Sequence, residues 1–131
     1  MRATLKMPEG LKQMMDELAK LEASELDAVA VEMLDAGAEV ALDGMQRRVP
    51  VKSGKLKGFL KRGAVQQDGN RSVVEIGIID APGEVVRYGT AQEYGTSSVP
   101  AQSYMRETMK LDRAKIYAAM RKVLKARIGA K

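Results

Sequence analysis

Val85-Val86-Arg87-Tyr88-Gly89-Thr90-Ala91-Gln92-Glu93-Tyr94-Gly95-Thr96-Ser97-Ser98-Val99-Pro100-Ala101-Gln102-Ser103-Tyr104-Met105-Arg106 is the stretch on which the reading of this chain turns. Its β-branched opening, Val85-Val86 followed by Arg87-Tyr88, reads as a strand. A doubled Tyr-Gly-Thr follows, at Tyr88-Gly89-Thr90 and Tyr94-Gly95-Thr96, then a Ser/Pro loop and the start of a basic helix. Tyr88, Tyr94 and Tyr104 all lie here, in a chain with only 4 tyrosines and 4% aromatic residues. Aromatic rings concentrated beside backbone-permissive glycines point to a contact surface.

The segments around it supply the frame. Ser72-Val73-Val74-Glu75-Ile76-Gly77-Ile78-Ile79 is the strongest strand, β-branched and mostly apolar. Residues 58–67 and 72–80 read as a β-hairpin turning at Gln67-Asp68-Gly69-Asn70. With a second turn at Ala81-Pro82-Gly83-Glu84 and the strand at 85–88, this gives an antiparallel meander of at least three strands. Upstream, residues 8–22 read as a short helix with Pro8 first and Leu11, Met14, Met15, Leu18 and Leu21 at helical spacing. A second helix starts near Glu25, behind Ser24 as N-cap, with a stripe of Leu26, Val29, Ala30, Met33, Gly37, Val40, Ala41 and Gly44. Gly37 and Gly44 on that stripe predict close approach of another backbone. Downstream, Met105, Met109, Ile116, Met120, Val123 and Leu124 form the apolar face of one long C-terminal helix.

The expected fold is therefore α+β in a single domain, residues 1–131: a small antiparallel sheet flanked by N-terminal helices and a long C-terminal helix. A helical region at 8–47 leads to a Pro/Gly turn at 48–57, the β-meander at 58–95, a loop at 96–103 and the last helix at 103–128. The nine methionines read as adaptable core filler.

Composition removes most chemistry. With no cysteine and no histidine, disulfides, thiol nucleophiles, thiolate or imidazole metal sites and histidine-based triads are excluded. The carboxylates Glu75, Asp80, Glu84 and Glu93 show no spacing that singles out a catalytic pair, and each is read as a strand-surface or turn residue. The expectation is no enzyme, no cofactor and no metal. No apolar run approaches the roughly 20 residues of a membrane span, and the N-terminus lacks a secretory apolar segment, so synthesis in a cytoplasm is expected.

The net charge of +5 is unevenly spread: residues 1–45 carry −6, residues 46–105 +4 and residues 106–131 +7. A solvated basic tail helix is one reading. The other is that the two ends are complementary, between subunits or toward an acidic partner such as DNA. Arg47, Arg48, Lys52, Lys55 and Lys57 are the DNA-facing candidates, although the segment has neither a stacking aromatic nor a glycine-rich phosphate cradle. A free-standing DNA-binding module built from this loop and the C-terminal helix is the alternative function.

Two segments carry a resemblance. The first is Val49-Pro50-Val51-Lys52-Ser53-Gly54-Lys55-Leu56; the second is Glu93-Tyr94-Gly95-Thr96 with the Pro-containing loop and Tyr104-Met105-Arg106. In this order they resemble the small neck or tail-completion proteins of long-tailed bacteriophages and prophages. Lys52 stands where that family has an acidic residue, Tyr104 where it has phenylalanine, and Gln102-Ser103 and Glu107 where it has prolines. The resemblance implies a structural virion protein in the neck or head-proximal tail, assembled in the host cytoplasm. It implies a homo-oligomeric ring, commonly six-fold, that completes the tail and joins it to the head. The implied partners are other copies of itself, neighbouring neck and tail proteins and genomic DNA in the lumen, with no membrane. Pro50, Ser53, Gly54, Leu56, Glu93, Tyr94, Gly95, Thr96, Tyr104, Met105 and Arg106 are the assembly candidates it singles out. Tyr88 joins them for its ring alone, since Tyr88-Gly89-Thr90 does not carry the resemblance and reads as a strand end; the three tyrosines are the anchors.

Overall fold

The computed structural model describes residues 2–11, 23–50, 55–68, 71–98 and 100–129. In chain order the elements are β1 (Arg2–Leu5), α1 (Ala23–Arg48), α2 (Lys55–Gly58), β2 (Leu60–Arg62), β3 (Gln66–Asp68), β4 (Arg71–Ile78), α3 (Gly83–Tyr94), α4 (Tyr104–Leu111) and α5 (Arg113–Gly129). Residues 9–11 are also helical, residues 12–22 of the helix expected at 8–22 lie outside the described residues, and so do residues 69–70 of the expected turn at 67–70. The fold is α+β, with an antiparallel sheet among helices.

β4 is the centre of the sheet because it alone is long, β-branched and apolar on one face. Val74, Ile76 and Ile78 point into the core and are buried, while Val73 and Glu75 alternate to the other side. β2 and β3 both pair antiparallel with β4, from Leu60↔Ile78 to Arg62↔Ile76 and from Gln66↔Val73 to Asp68↔Arg71. Between these blocks Gly63, Ala64 and Val65 stand opposite only Val74 and Glu75. β2 and β3 are thus two halves of one strand interrupted by a β-bulge, and the expected hairpin is present.

The third strand is not where the sequence placed it. β1 pairs with the other side of β4, from Arg2↔Gly77 to Leu5↔Val74, and residues 83–94 are helix rather than strand. The reason lies in the stripe. The buried positions of α3 are Val85, Gly89 and Glu93, spaced i, i+4, i+8. Two of these three are a glycine and a carboxylate, so the helical period does not register as hydrophobic periodicity. Pro82 precedes the first turn and Glu84 lies in it, where its charge complements the helix dipole.

α1 lies across the inner face of the sheet and against α5, and the core forms between them. Met33, Leu34, Ala38, Ala41 and Met45 from α1 meet Ile76 from β4 and Ile116, Met120 and Leu124 from α5, all fully or almost fully buried. Met33, Met45 and Met120 are core filler, as expected. Gly37 and Gly44 do mark close approach, but of side chains. A Cβ at Gly37 would lie 2.7 Å from Leu5 Cδ2 and 3.0 Å from Met120 Cγ. One at Gly44 would lie 2.7 Å from Thr108 Cγ2 and would collide with the Asp112 carboxylate.

The single C-terminal helix is two helices, α4 and α5, broken at Asp112. Asp112 is buried among cations. Arg48 donates to both its carboxylate oxygens, at 2.7 and 3.0 Å, and Arg47 Nη2 donates to Oδ2 at 3.1 Å. Arg48 also donates to the hydroxyl of buried Thr108 at 3.1 Å. The Arg48 hydrogen bonds hold the Asp112 carboxyl below the usual carboxylate range, against the effect of burial.

Ion pairs also absorb much of the acid of α1. Arg62 bridges Asp35 and Glu39 at 2.7 and 2.6 Å, Arg47 reaches Asp43 at 3.0 Å, and Arg127 of α5 pairs with Glu32. Of these pairs, Arg127–Glu32 joins the acidic N-terminal part to the basic C-terminal part within one molecule.

Candidate assembly site

The two motif segments meet in space. Leu56, on the short helix α2, is buried against the middle of α3. A Cβ at Gly89 would lie 3.0 Å from Leu56 Cδ1, 3.2 Å from Tyr104 Oη and 3.4 Å from Ile78 Cγ1. Gly89 is the seat into which Leu56 and Tyr104 pack. The first Tyr-Gly-Thr, expected to be a strand end, therefore contributes a packing glycine inside a helix.

Tyr104 is fully buried, and its hydroxyl donates to the Gly89 carbonyl at 3.2 Å. Burial, with the nearby negative charge of Glu93, pushes its phenol up to about 12. The sequence nominated Tyr104 as an interface anchor; within this chain it is a core residue. Tyr88 is half-buried against the core, and Tyr94 stands out at 58% exposure.

Glu93 joins the two helices. Its carboxylate is 1% exposed and accepts the backbone N–H of Met105 at 3.0 and 3.1 Å and that of Arg106 at 2.8 Å. These are orphan donors of the first turn of α4, so a side chain from α3 caps α4 from outside. Arg106 closes the clamp from the other side. Its Nη2 donates to the Glu93 carbonyl at 2.9 Å and to Ser103 Oγ at 2.8 Å, and its guanidinium lies 4.9 Å from the centre of the Tyr94 ring. Its Nε also lies 3.8 Å from Glu93 Oε1.

The chain between these helices leaves and returns at one point. Gly95 ends α3 with φ 79, which a residue with a side chain seldom adopts, and its N–H donates to the Ala91 carbonyl at 2.8 Å. Ser103 holds left-handed φ 42 and ψ 38, and its hydroxyl donates to the Glu93 carbonyl at 3.2 Å. Gln102 N–H returns to the Gln92 carbonyl at 2.6 Å. Between the pinned ends, Thr96, Ser97, Ser98, Pro100, Ala101 and Gln102 are exposed, and Ser98 N–H bonds Thr96 Oγ1 at 3.3 Å.

Beside this loop a cleft of about 460 Å³ opens between β1 and α4. Met105 and Met109 form its floor, and Arg2, Arg106, Lys110 and Arg113 its rim. The cleft continues past Met109 and Arg113 into a second hollow of about 410 Å³ reaching Tyr117. With one exposed ring, a methionine floor and a cationic rim, the surface suits contact with another macromolecule more than turnover of a small molecule. Among the described residues no cluster of carboxylates could hold a metal ion. Glu93 is committed to its two amides, and Glu75 to Arg2 at 2.8 Å.

Of the other nominated residues, Pro50 is half-buried, Thr96 and Lys57 are exposed, Met105 is buried and Lys55 begins α2. Lys52, Ser53 and Gly54 lie outside the described residues. Arg48 is engaged by Asp112, and Arg47 by Asp43 and Asp112, which gives both a role inside the fold. Sequence reasoning did not nominate Asp112 and Thr108. The available signal was a lone aspartate in a segment with nine basic residues.

Residues 12–95 match the model of the family described as "Bacteriophage HK97-gp10, putative tail-component". The chain belongs to this HK97-gp10-like family of bacteriophage tail components. The family match runs from ahead of α1 to Gly95, so it includes the Leu56 turn, α3 and the Glu93 carboxylate, and it stops before α4, the helix that Glu93 caps. No curated protein and no solved structure matches the chain. In this tail component no helix among the described residues is long and apolar enough to cross a membrane.

Proposed function

We propose that this tail component is a structural subunit of the virion that assembles as a closed ring, commonly six-fold, at the head-proximal end of the tail. There it completes the tail and joins it to the head. Its role is architectural, with no catalytic step. The observation that carries this reading is Tyr94: an aromatic ring exposed at 58% yet fixed at the end of α3, stacked by Arg106 and flanked by a loop that starts at Gly95, bonded to the Ala91 carbonyl, and ends at Ser103, bonded to that of Glu93. A pre-ordered aromatic loses little entropy on docking, which makes it an efficient anchor. Rotational assembly needs two unlike faces on each protomer. The Tyr94 loop with its cationic-rimmed cleft supplies one of them.

Native mass spectrometry of the purified chain, alone and with tail tubes, tests this. A closed oligomer is expected, and Tyr94→Ala is expected to weaken it while leaving the thermal midpoint within a degree or two. A wild-type chain that stays monomeric with and without tail tubes would overturn the proposal. Oligomers indifferent to Tyr94→Ala would move the interface elsewhere.

A further inference from the structure

Once the ion pairs inside the chain are assigned, a single-sign surface is left over on α5. Ile116, Met120 and Leu124 face the core, so at 100° per residue the outward face carries Ala114, Lys115, Ala118, Arg121, Lys122 and Lys125, all exposed. Lys115, Arg121, Lys122 and Lys125 form no ion pair among the described residues, whereas Arg48, Arg62 and Arg127 are each held by a carboxylate. Between the four cations lie only alanines. A protein partner needs a large apolar or aromatic anchor at the centre of its contact, and this face has none. Single-stranded nucleic acid needs rings on which bases stack. The nearest ring, Tyr117, is half-buried and covered by the Arg113 guanidinium at 5.3 Å.

We infer that the outward face of α5 is a sequence-independent contact for the phosphate backbone of duplex DNA, made by Lys115, Arg121, Lys122 and Lys125. From Lys115 to Lys125 the helix rises about 15 Å, a length that passes roughly four phosphates of one strand at about 3.4 Å each. The contact positions DNA without reading bases. It moves the DNA-facing charge from the 47–57 segment, where Arg47 and Arg48 serve the fold, to the last helix. It also stands apart from the ring reading, because the Tyr94 surface is not part of it.

The experiment is fluorescence anisotropy of the full chain with a 30-base-pair duplex of arbitrary sequence, titrated from 50 to 200 mM NaCl. Four phosphate contacts predict a log–log slope of about −3.6, a loss of about 100-fold in affinity over that range. A steeper slope is expected if several subunits bind together. The variant K115Q/R121Q/K122Q/K125Q, all at exposed positions, is expected to keep its circular dichroism and lose most of that slope; K57Q/K61Q is expected to change it by much less. Three results would each overturn the inference. These are no duplex binding by the wild type at 50 mM salt, an unchanged slope in the quadruple variant, or equal competition by polyglutamate of the same total charge. Tighter binding of a single strand of equal length would likewise refute the duplex assignment. If mass spectrometry finds no ring and the slope survives, the ring reading fails alone.

Discussion

Replacing Glu93 by alanine removes the carboxylate by which α3 caps α4. In the folded chain its carboxylate accepts two backbone N–H groups of α4, that of Met105 in the core and that of Arg106 at 2.8 Å. A hydrogen bond to a charged group contributes about 1.5–3 kcal/mol, and a buried donor left without an acceptor costs about 1–3 kcal/mol. Loss of a negative charge at a helix N-terminus costs about 0.3–2 kcal/mol more. These contributions overlap, because the same carboxylate makes all of them, so Glu93→Ala is expected to lose about 3–5 kcal/mol. Glu93→Gln keeps one acceptor oxygen but turns an N–H₂ toward the amides, and is expected to lose about 2 kcal/mol or more. For a chain of this size that is a fall in midpoint of roughly 10–15 °C for alanine and about half as much for glutamine. Urea denaturation followed by far-ultraviolet circular dichroism measures both, and hydrogen exchange at Met105 and Arg106 reports the amides directly. A loss below about 1 kcal/mol in Glu93→Ala, with both amides still protected, would refute the capping argument.

Gly44→Ala sets a methyl group against the Asp112 carboxylate and Thr108, and is expected to lose about 1–3 kcal/mol by overpacking, read by denaturant midpoint. The Asp112 carboxyl is held low by Arg48, so its contribution is complete above the ordinary aspartate value near 3.9. That contribution is lost as pH falls through the lower folded value; stability measured from pH 5 to pH 2 should drop, and Asp112→Asn should start lower and flatten that slope. Tyr104 titrates at about 12 in the fold against 10.0 for an ordinary phenol, so stability should fall by about 2–3 kcal/mol between pH 10 and pH 12. Tyr104→Phe should lack that alkaline limb.

The long helix Ala23–Arg48 was legible because its buried positions, Val29, Ala30, Met33 and Ala41, are apolar and fall at helical spacing. The hairpin around β4 was legible because β-branched residues cluster in one run. α3 was misread because its buried stripe is Val85, Gly89 and Glu93, and local composition shows two valines and a tyrosine but not what Glu93 caps. β1 escaped notice because Arg-Ala-Thr-Leu is too short to show a period, and it pairs with β4 far along the chain, from Arg2↔Gly77 to Leu5↔Val74. The break in the last helix rests on Asp112 meeting Arg48, 64 residues apart. Leu56, Glu93, Tyr94 and Tyr104 were found by resemblance, but their division of labour was not legible: Leu56, Glu93 and Tyr104 build the junction around Gly89, which no motif marked, and Tyr94 is what it presents.

In the proposed role, a rigid junction presents Tyr94 and its loop for assembly at the head-proximal end of a tail. Electron cryomicroscopy of tail tubes incubated with the chain tests it most directly. A ring of added density is expected at one end of each tube, with the Tyr94 loop at the contact between neighbouring subunits. Bare tube ends, or a ring with Tyr94 facing open solvent away from every subunit, would contradict it.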